Sequence, residues 1–91
     1  VPLRFVGESL GCRVEWLAKS RRIIIRSRAH DIALSIGNQT ALVDGGKRLM
    51  EQAPILDERT GRTLVPLRFI AETMGHAVLW DGERRKIIIL K

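Results

Sequence analysis

The first 25 residues of this chain recur near its end. Residues 1–25 align without a gap on residues 65–89, and 13 of the 25 aligned positions are identical. This repeat constrains the fold more than any other feature, because a unit that occurs twice shows which positions its structure requires. The identical positions are a Val-Pro-Leu-Arg-Phe run, one Glu, one Gly, a Val-x-Trp pair, one Arg and an Ile triplet. We expect most of them to build a helix and a hairpin, and none resembles a catalytic cluster.

Each copy begins with the pattern of a short helix. Pro66 suits a helix start, because proline has no backbone N–H to leave unpaired there. Apolar residues then follow at the spacing of one helical face, and Gly75 can adopt the left-handed conformation that ends a helix. Pro2 and Gly11 occupy the same places in the first copy, so the sequence predicts two helices.

After each helix the apolar period changes to two, which is typical of β-strands. In the second copy Val78 and Trp80 share one strand face, Asp81-Gly82 begins a turn, and residues 86–90 return as a second strand. Residues 14–16 and 22–26 repeat this pattern in the first copy. Each copy is therefore predicted to fold as helix, strand, turn and strand.

Residues 27–64, between the copies, carry turn sequences at short intervals. Gly37-Asn38, Asp44-Gly45 and Gly61 separate short apolar runs, which indicates a β-meander and not a linker. We therefore predict one α+β domain, in which a curved antiparallel β-sheet wraps around two short helices with an internal helix-hairpin pseudo-repeat. Residues 1–28 form a helix-hairpin half, and residues 29–91 form a complete meander-helix-hairpin unit.

The composition fits a small globular domain. Its 91 residues are 45% hydrophobic and 29% charged, and no apolar run approaches the ~20 residues that a membrane-spanning helix needs. The chain opens on Val1 inside the repeated motif, and the first copy lacks the hairpin that precedes the second. We therefore expect a half-unit truncated at its N-terminus and excised from a longer precursor. Its exposed sheet edge could pair with a neighbouring domain or form a homodimer.

The motifs of the second copy resemble a known family. Gly-Arg-Thr-x-Val-Pro-Leu-Arg at residues 61–68 is followed by Gly-x-x-Val-x-Trp at residues 75–80, and a Gly-Gly hairpin and an Ala-Pro-Ile strand precede both. This pattern is similar to the copper amine oxidase N-terminal-like, or stalk, domain. The resemblance implies a non-catalytic module that spaces, displays or anchors other domains of a secreted cell-envelope protein of Gram-positive bacteria. It also implies an extracellular or cell-wall location.

The residue types exclude the oxidase reaction for this chain alone. That reaction requires three histidine ligands for copper and a tyrosine that becomes the cofactor, whereas the chain has two histidines, His30 and His76, and no tyrosine. Its serines, paired carboxylates and glycine-rich turns match no catalytic or phosphate-binding motif. We therefore expect no enzyme activity, no cofactor and no metal site. Cys12 is expected at the surface or at its boundary, with a dimeric disulfide or a metal ligand as alternatives.

Two arginines lie in the first turns of the helices, where free backbone amides disfavour positive charge. We expect Arg4 to pair with Glu8 and Arg68 to pair with Glu72, each four residues on, while carbonyls of the preceding hairpin accept the remaining hydrogen bonds. On this interpretation Arg68→Lys lowers the melting temperature. The alternative is that the arginines bind a ligand.

Trp16 and Trp80 allow two interpretations as well. We expect each indole to pack over its helix and supply much of the core, because Val14 and Val78 share their strand faces. The alternative is that the indoles are platforms for the sugar rings of a wall polysaccharide.

The net charge of +6 makes an anionic partner plausible. The family resemblance implies anionic wall polymers such as teichoic acids, or the bacterial surface itself. Nucleic acid is disfavoured, because the sequence has no recognition-helix pattern, ribonucleoprotein motif or zinc finger. The alternative is that these residues are simply solvated. Candidate contacts for an anionic polymer are the basic residues around the two hairpin turns, Lys19, Arg21, Arg22, Arg26, Arg28, Arg84, Arg85 and Lys86.

Overall fold

The computed structural model describes residues 2–90. Within that range the chain forms two helices and nine strands, which confirms the α+β class. Their order is α1 (Leu3–Leu10), β1 (Arg13–Leu17), β2 (Arg22–Arg26), β3 (Asp31–Ser35), β4 (Thr40–Val43), β5 (Gly46–Leu49), β6 (Ile55–Asp57), β7 (Arg62–Leu64), α2 (Leu67–Thr73), β8 (Ala77–Asp81) and β9 (Lys86–Leu90).

The β-meander predicted between the two copies is confirmed for residues 31–49, which form β3 to β5. Strands β1 to β5 form the main sheet, in which each strand pairs antiparallel with the next one along the chain. The turn between β4 and β5 places Asp44 at φ 52° and Gly45 at φ 85°. Positive φ at both central residues belongs to the tight hairpin turn that Asp-Gly favours, because that turn matches the twist of the strands.

Each helix ends at the glycine that the sequence predicted. Gly11 has φ 67°, and its N–H donates to Gly7 O at 3.1 Å. Gly75 has φ 90°, and its N–H donates to Glu72 O while the N–H of His76 donates to Ala71 O. This pair of hydrogen bonds is the Schellman motif, which requires a residue with a left-handed backbone conformation.

The core lies between the main sheet and the two helices. Ile23, Ile25 and Ile32 of β2 and β3 are fully buried, as are Val6 of α1 and Ile70 of α2. Among the described residues no polar or charged residue is buried. The alternation of apolar residues along β2 and β3 therefore determines which face of the main sheet receives the helices.

The prediction of a curved antiparallel sheet with two helices is confirmed in part, because the structure has a five-stranded sheet and two small separate sheets. Two hairpins, β6–β7 and β8–β9, pair within themselves and remain outside the main sheet. The β8–β9 hairpin packs against α2, which lies between β7 and β8 in the chain. The β6–β7 hairpin, which precedes the second copy, instead lies beside the first: Pro2 and Leu64 form an isolated antiparallel bridge.

Two equivalent isoleucines therefore have different surroundings, which predicts unequal effects of the same substitution. Ile23 is 0% exposed, whereas its counterpart Ile87 is 42% exposed. Ile23→Ala should lower the free energy of unfolding by about 2–5 kcal/mol, because it leaves a cavity in the core. Ile87→Ala serves as the matched control and should cost clearly less. Urea unfolding of both variants measures the difference, and equal losses would show that the second hairpin is buried in solution.

Candidate functional site

An open cleft of about 470 Å³ lies beside the start of α1. We call it the α1 cleft. It collects side chains from the beginning of the helix, from β1 and from the β6–β7 hairpin, so it joins parts of the chain that are distant in sequence. The residues that line it are Pro2, Leu3, Arg4, Phe5, Glu8, Trp16, Gly61, Arg62 and Thr63.

Close contact between α1 and β1 builds one wall of this cleft. A Cβ atom placed on Gly7 would lie 3.2 Å from Val14 Cγ2, so the missing side chain allows β1 to approach the helix. Val14 packs against the core at this point. Trp16 lies two residues further along the same face of β1, where its indole lines the cleft beside Arg4.

The prediction that both indoles lie in the core is wrong. Trp16 is 38% exposed and Trp80 is 59% exposed. The helices have only 8 and 7 residues. They cover the neighbouring valines, Val14 and Val78, which pack against the core, but they do not cover the tryptophans nearer to the hairpin turns. Aliphatic side chains of β2, β3 and the helices fill the core in their place.

Of the two predicted arginine pairs, the structure shows Arg68 with Glu72 but, within residues 2–90, not Arg4 with Glu8. Arg68 Nε lies 3.9 Å from Glu72 Oε1, and both side chains are more than half exposed. Arg4 makes no ion pair with Glu8 within 4.0 Å, and neither guanidinium donates to a hairpin carbonyl in this part of the chain. An exposed helical pair contributes only about 0.3–0.5 kcal/mol. This geometry gives no reason for Arg68→Lys to lower the melting temperature.

The second copy does not reproduce the α1 cleft. Arg68 and Glu72 line a separate depression of about 410 Å³ with Phe69 and with Arg48 at the end of β5, and Trp80 is not part of its lining. Of the two copies in the described range, only the first brings its arginine and its indole into one cleft. Pro66 and Gly75 begin and end α2, as expected, and serve the helix itself.

The basic residues of the first copy do not form one compact patch. Arg22 and Arg26 occupy the two ends of β2, about 13 Å apart at the usual rise of a strand. Arg21, which was expected on the other face of that strand, lies in the turn at φ 53°. Lys19 is exposed in the same turn, and Arg28 is exposed in the connection to β3.

The basic residues of the second copy surround the β8–β9 turn. Arg84 Nε lies 3.9 Å from Asp81 Oδ2, which offsets part of its charge. Arg85 takes φ 52°, as its counterpart Arg21 does, and Lys86 begins β9. The two turns thus share one backbone shape, and their basic side chains lie on the protein surface.

Within residues 2–90, no three His, Cys, Asp or Glu side chains converge to hold a metal ion. His30 Nδ1 lies 2.6 Å from Asp44 Oδ2, and Asp44 Oδ1 accepts the N–H of Asp31. The hydrogen bond from Asp31 and then the one from His30 lower the pKa of the Asp44 carboxyl. Cys12 is half-buried, as expected, and its burial raises the pKa of its thiol.

Sequence reasoning missed Phe5, Arg62 and Thr63 as members of the cleft. Arg62 and Thr63 belong to the motif that precedes the second copy, where local pattern marks a turn and a strand. The bridge between Pro2 and Leu64 carries them to the first copy. No periodicity in the sequence signals a contact between residues so far apart.

The family comparison agrees with this architecture. A family model described as the copper amine oxidase N-terminal domain matches residues 1–89. The chain belongs to that family. The resemblance seen in its motifs is therefore confirmed, and the family's domain is non-catalytic, separate from the oxidase's catalytic domain. A search of curated proteins found no match to the chain. Neither helix in the described range is long and apolar enough to cross a membrane.

The exposure of the indoles predicts their fluorescence quenching. Trp16→Phe leaves Trp80 as the single indole, and Trp80→Phe leaves Trp16. Acrylamide should quench both, and Trp80 more strongly because a larger fraction of its surface is exposed. The urea-unfolded variants supply the fully exposed reference. Protection of either indole from the quencher would contradict its exposure and would indicate that it lies in the core.

Proposed function

We propose that the domain is a non-catalytic structural and interaction module of a secreted bacterial cell-envelope protein, which spaces, displays or anchors the other domains of that protein. We further propose that it anchors by holding an anionic saccharide polymer of the wall in the α1 cleft. The observation that carries this proposal is the joint exposure of Trp16, Arg4 and Arg62 in one open cleft.

The residue types suit such a polymer. The flat face of an exposed indole packs against the apolar face of a sugar ring, and Phe5, also 38% exposed, extends that apolar wall. A guanidinium presents a planar fork of donors that matches phosphate or carboxylate oxygens. Glu8 can accept hydrogen bonds from sugar hydroxyls. Arg4 and Arg62 have no carboxylate partner within 4.0 Å in the described part of the chain, so their charges remain available.

The surface charge supports the same class of partner. A net charge of +6 attracts polyanions from a distance, and the basic turns at both ends of the repeat extend that field beyond the cleft. Family membership favours wall polymers and neighbouring domains over nucleic acid or membrane insertion as partners. We propose an extracellular location at the cell wall of a Gram-positive bacterium on the same grounds.

A second candidate function is that of a spacer without a ligand. Its support is the shared order of helix and hairpin in the two copies, with the same strand register in both hairpins. We infer that the copies form a pseudo-repeat of one structural unit. Both helices pack on one aliphatic core, which suits a rigid element between other domains.

Co-sedimentation with purified Gram-positive cell wall tests the proposal. The Arg4→Gln, Arg62→Gln double variant should bind at least about tenfold more weakly, because the loss of even one charge-assisted hydrogen bond of about 1.5 kcal/mol corresponds to that factor. Its control is Arg84→Gln with Arg85→Gln, which removes the same charge away from the cleft. Trp16→Ala should also weaken binding, whereas Trp80→Ala, outside the cleft, should not.

Each outcome has a defined meaning. Binding that is lost in high salt and that depends on the cleft residues supports an anionic polymer at this site. Equal losses of binding in both double variants would show that the interaction depends only on net charge, which would contradict the α1 cleft as the binding site. Absence of binding by the unmodified domain would leave the spacer function.

A further inference from the structure

The strands β2 and β9 are equivalent members of the two copies. Each pairs with the preceding strand of its hairpin in the same register: Ile23 lies opposite Trp16, and Ile87 lies opposite Trp80. On one edge, which we call the first, each strand therefore pairs with the equivalent strand of its own hairpin, β1 or β8. Any difference in their burial must arise on the second edge and on the faces next to it.

The second edges differ completely. Along β2, the strand β3 pairs with all five residues, from Arg22 opposite Ser35 to Arg26 opposite Asp31. Along β9, no strand within residues 2–90 pairs with the second edge. The second hairpin exposes apolar side chains on both faces: Leu79 (49%), Ile88 (41%) and Leu90 (50%) lie on one face, and Trp80 (59%) and Ile87 (42%) lie on the other.

The free edge of β9 also carries fewer charges than the outer strands of the main sheet, because its one charged residue is Lys86, at its start. The outer strand β1 carries Arg13 and Glu15, and the outer strand β5 carries Lys47 and Arg48. Charged side chains on an edge strand oppose the addition of a further strand. Between Ile87 and Leu90 there is no charged residue and no proline, so this edge is open to pairing.

We propose that the second edge of β9 accepts an extended segment of a partner polypeptide as an antiparallel strand. The β2–β3 interface supplies the pattern of that segment. In β3, Leu34 lies opposite Ile23, Ala33 opposite Ile24, and Ile32 opposite Ile25. The partner strand accordingly places a large aliphatic residue opposite Ile87, a small residue opposite Ile88 and a large aliphatic residue opposite Ile89.

Two kinds of contact hold this strand. Backbone hydrogen bonds to β9 supply affinity, and the alternating side chains supply specificity. The two large aliphatic residues lie on the face of Ile87 and Ile89, beside α2, where their counterparts Ile23 and Ile25 are fully buried in the first copy. Lys86 corresponds to Arg22, which lies opposite Ser35, so a polar residue is expected at that end.

A synthetic peptide with the sequence of residues 28–37, which contains β3, is the probe. Titrated to millimolar concentration into the Trp16→Phe variant, it should bind saturably, shift the NMR signals of the β9 amides and protect Trp80 from acrylamide. The control peptide carries Ile32→Asp and Leu34→Asp, which place charges opposite two isoleucines, and it should not bind. In the protein, Ile88→Lys should abolish binding, whereas Leu49→Lys on the outer strand β5 should leave it unchanged.

A tethered form removes the entropic penalty that a free peptide pays on ordering. The sequence of residues 28–37 is appended after Lys91, so that a connection of four residues, as between β2 and β3, precedes the strand and the effective concentration is about millimolar. The extension should raise the urea midpoint, and the same extension with the two aspartates should not. Failure of both the free and the tethered segment to protect Trp80 would overturn the proposal. Binding that survives Ile88→Lys would overturn it as well, as would a dimer through β9 that the peptide does not displace, because a second copy would then be the occupant.

Discussion

The pairing of β3 with the second edge of β2 is the interaction on which the rest of the structure depends. It gives the isoleucine triplet of the first copy a neighbour on both sides, and it makes the hairpin part of the main sheet. Both helices then pack on the face that Ile23 and Ile25 present. The same triplet in the second copy lacks this neighbour within residues 2–90, and most of it remains exposed. A shared sequence therefore specifies a shared hairpin, while its burial depends on the next strand.

The α1 cleft arises from two further constraints. Gly7 allows α1 to lie close to β1, and the helix is too short to cover Trp16. The β6–β7 hairpin closes the other side through the bridge between Pro2 and Leu64, and it contributes Arg62. Among the described residues no polar or charged residue is buried as a whole, so Arg4, Arg62 and Trp16 are exposed in this cleft. The domain of this family is non-catalytic and separate from the catalytic domain of the oxidase.

The local features of this fold could be read from the sequence, because each is encoded by adjacent residues. Gly11 and Gly75 end the helices, Asp44-Gly45 forms the predicted turn, and the period of two along β2 and β3 identifies the buried face. The positions of the indoles could not be read in this way. A strand pattern shows which face a tryptophan occupies, but it does not show how far the opposing helix extends.

Contacts between distant segments could not be predicted from the sequence either. Arg4 was expected to bond to its own helix and to a hairpin before it, yet the hairpin beside α1 comes from the middle of the chain. Likewise, the alignment of the two copies makes β2 and β9 look alike, since the difference between them lies in a third strand. Sequence identity between repeats therefore predicts their internal geometry better than their surroundings.

Amide hydrogen exchange of the unmodified domain tests the central claim most directly, because it compares the two isoleucine triplets in one molecule. If β3 alone distinguishes them, the amides of residues 23–25 exchange only with global unfolding, whereas those amides of residues 87–89 that point away from β8 exchange rapidly. Equal protection of both triplets would contradict the account, because it would show that the second edge of β9 is already covered in solution.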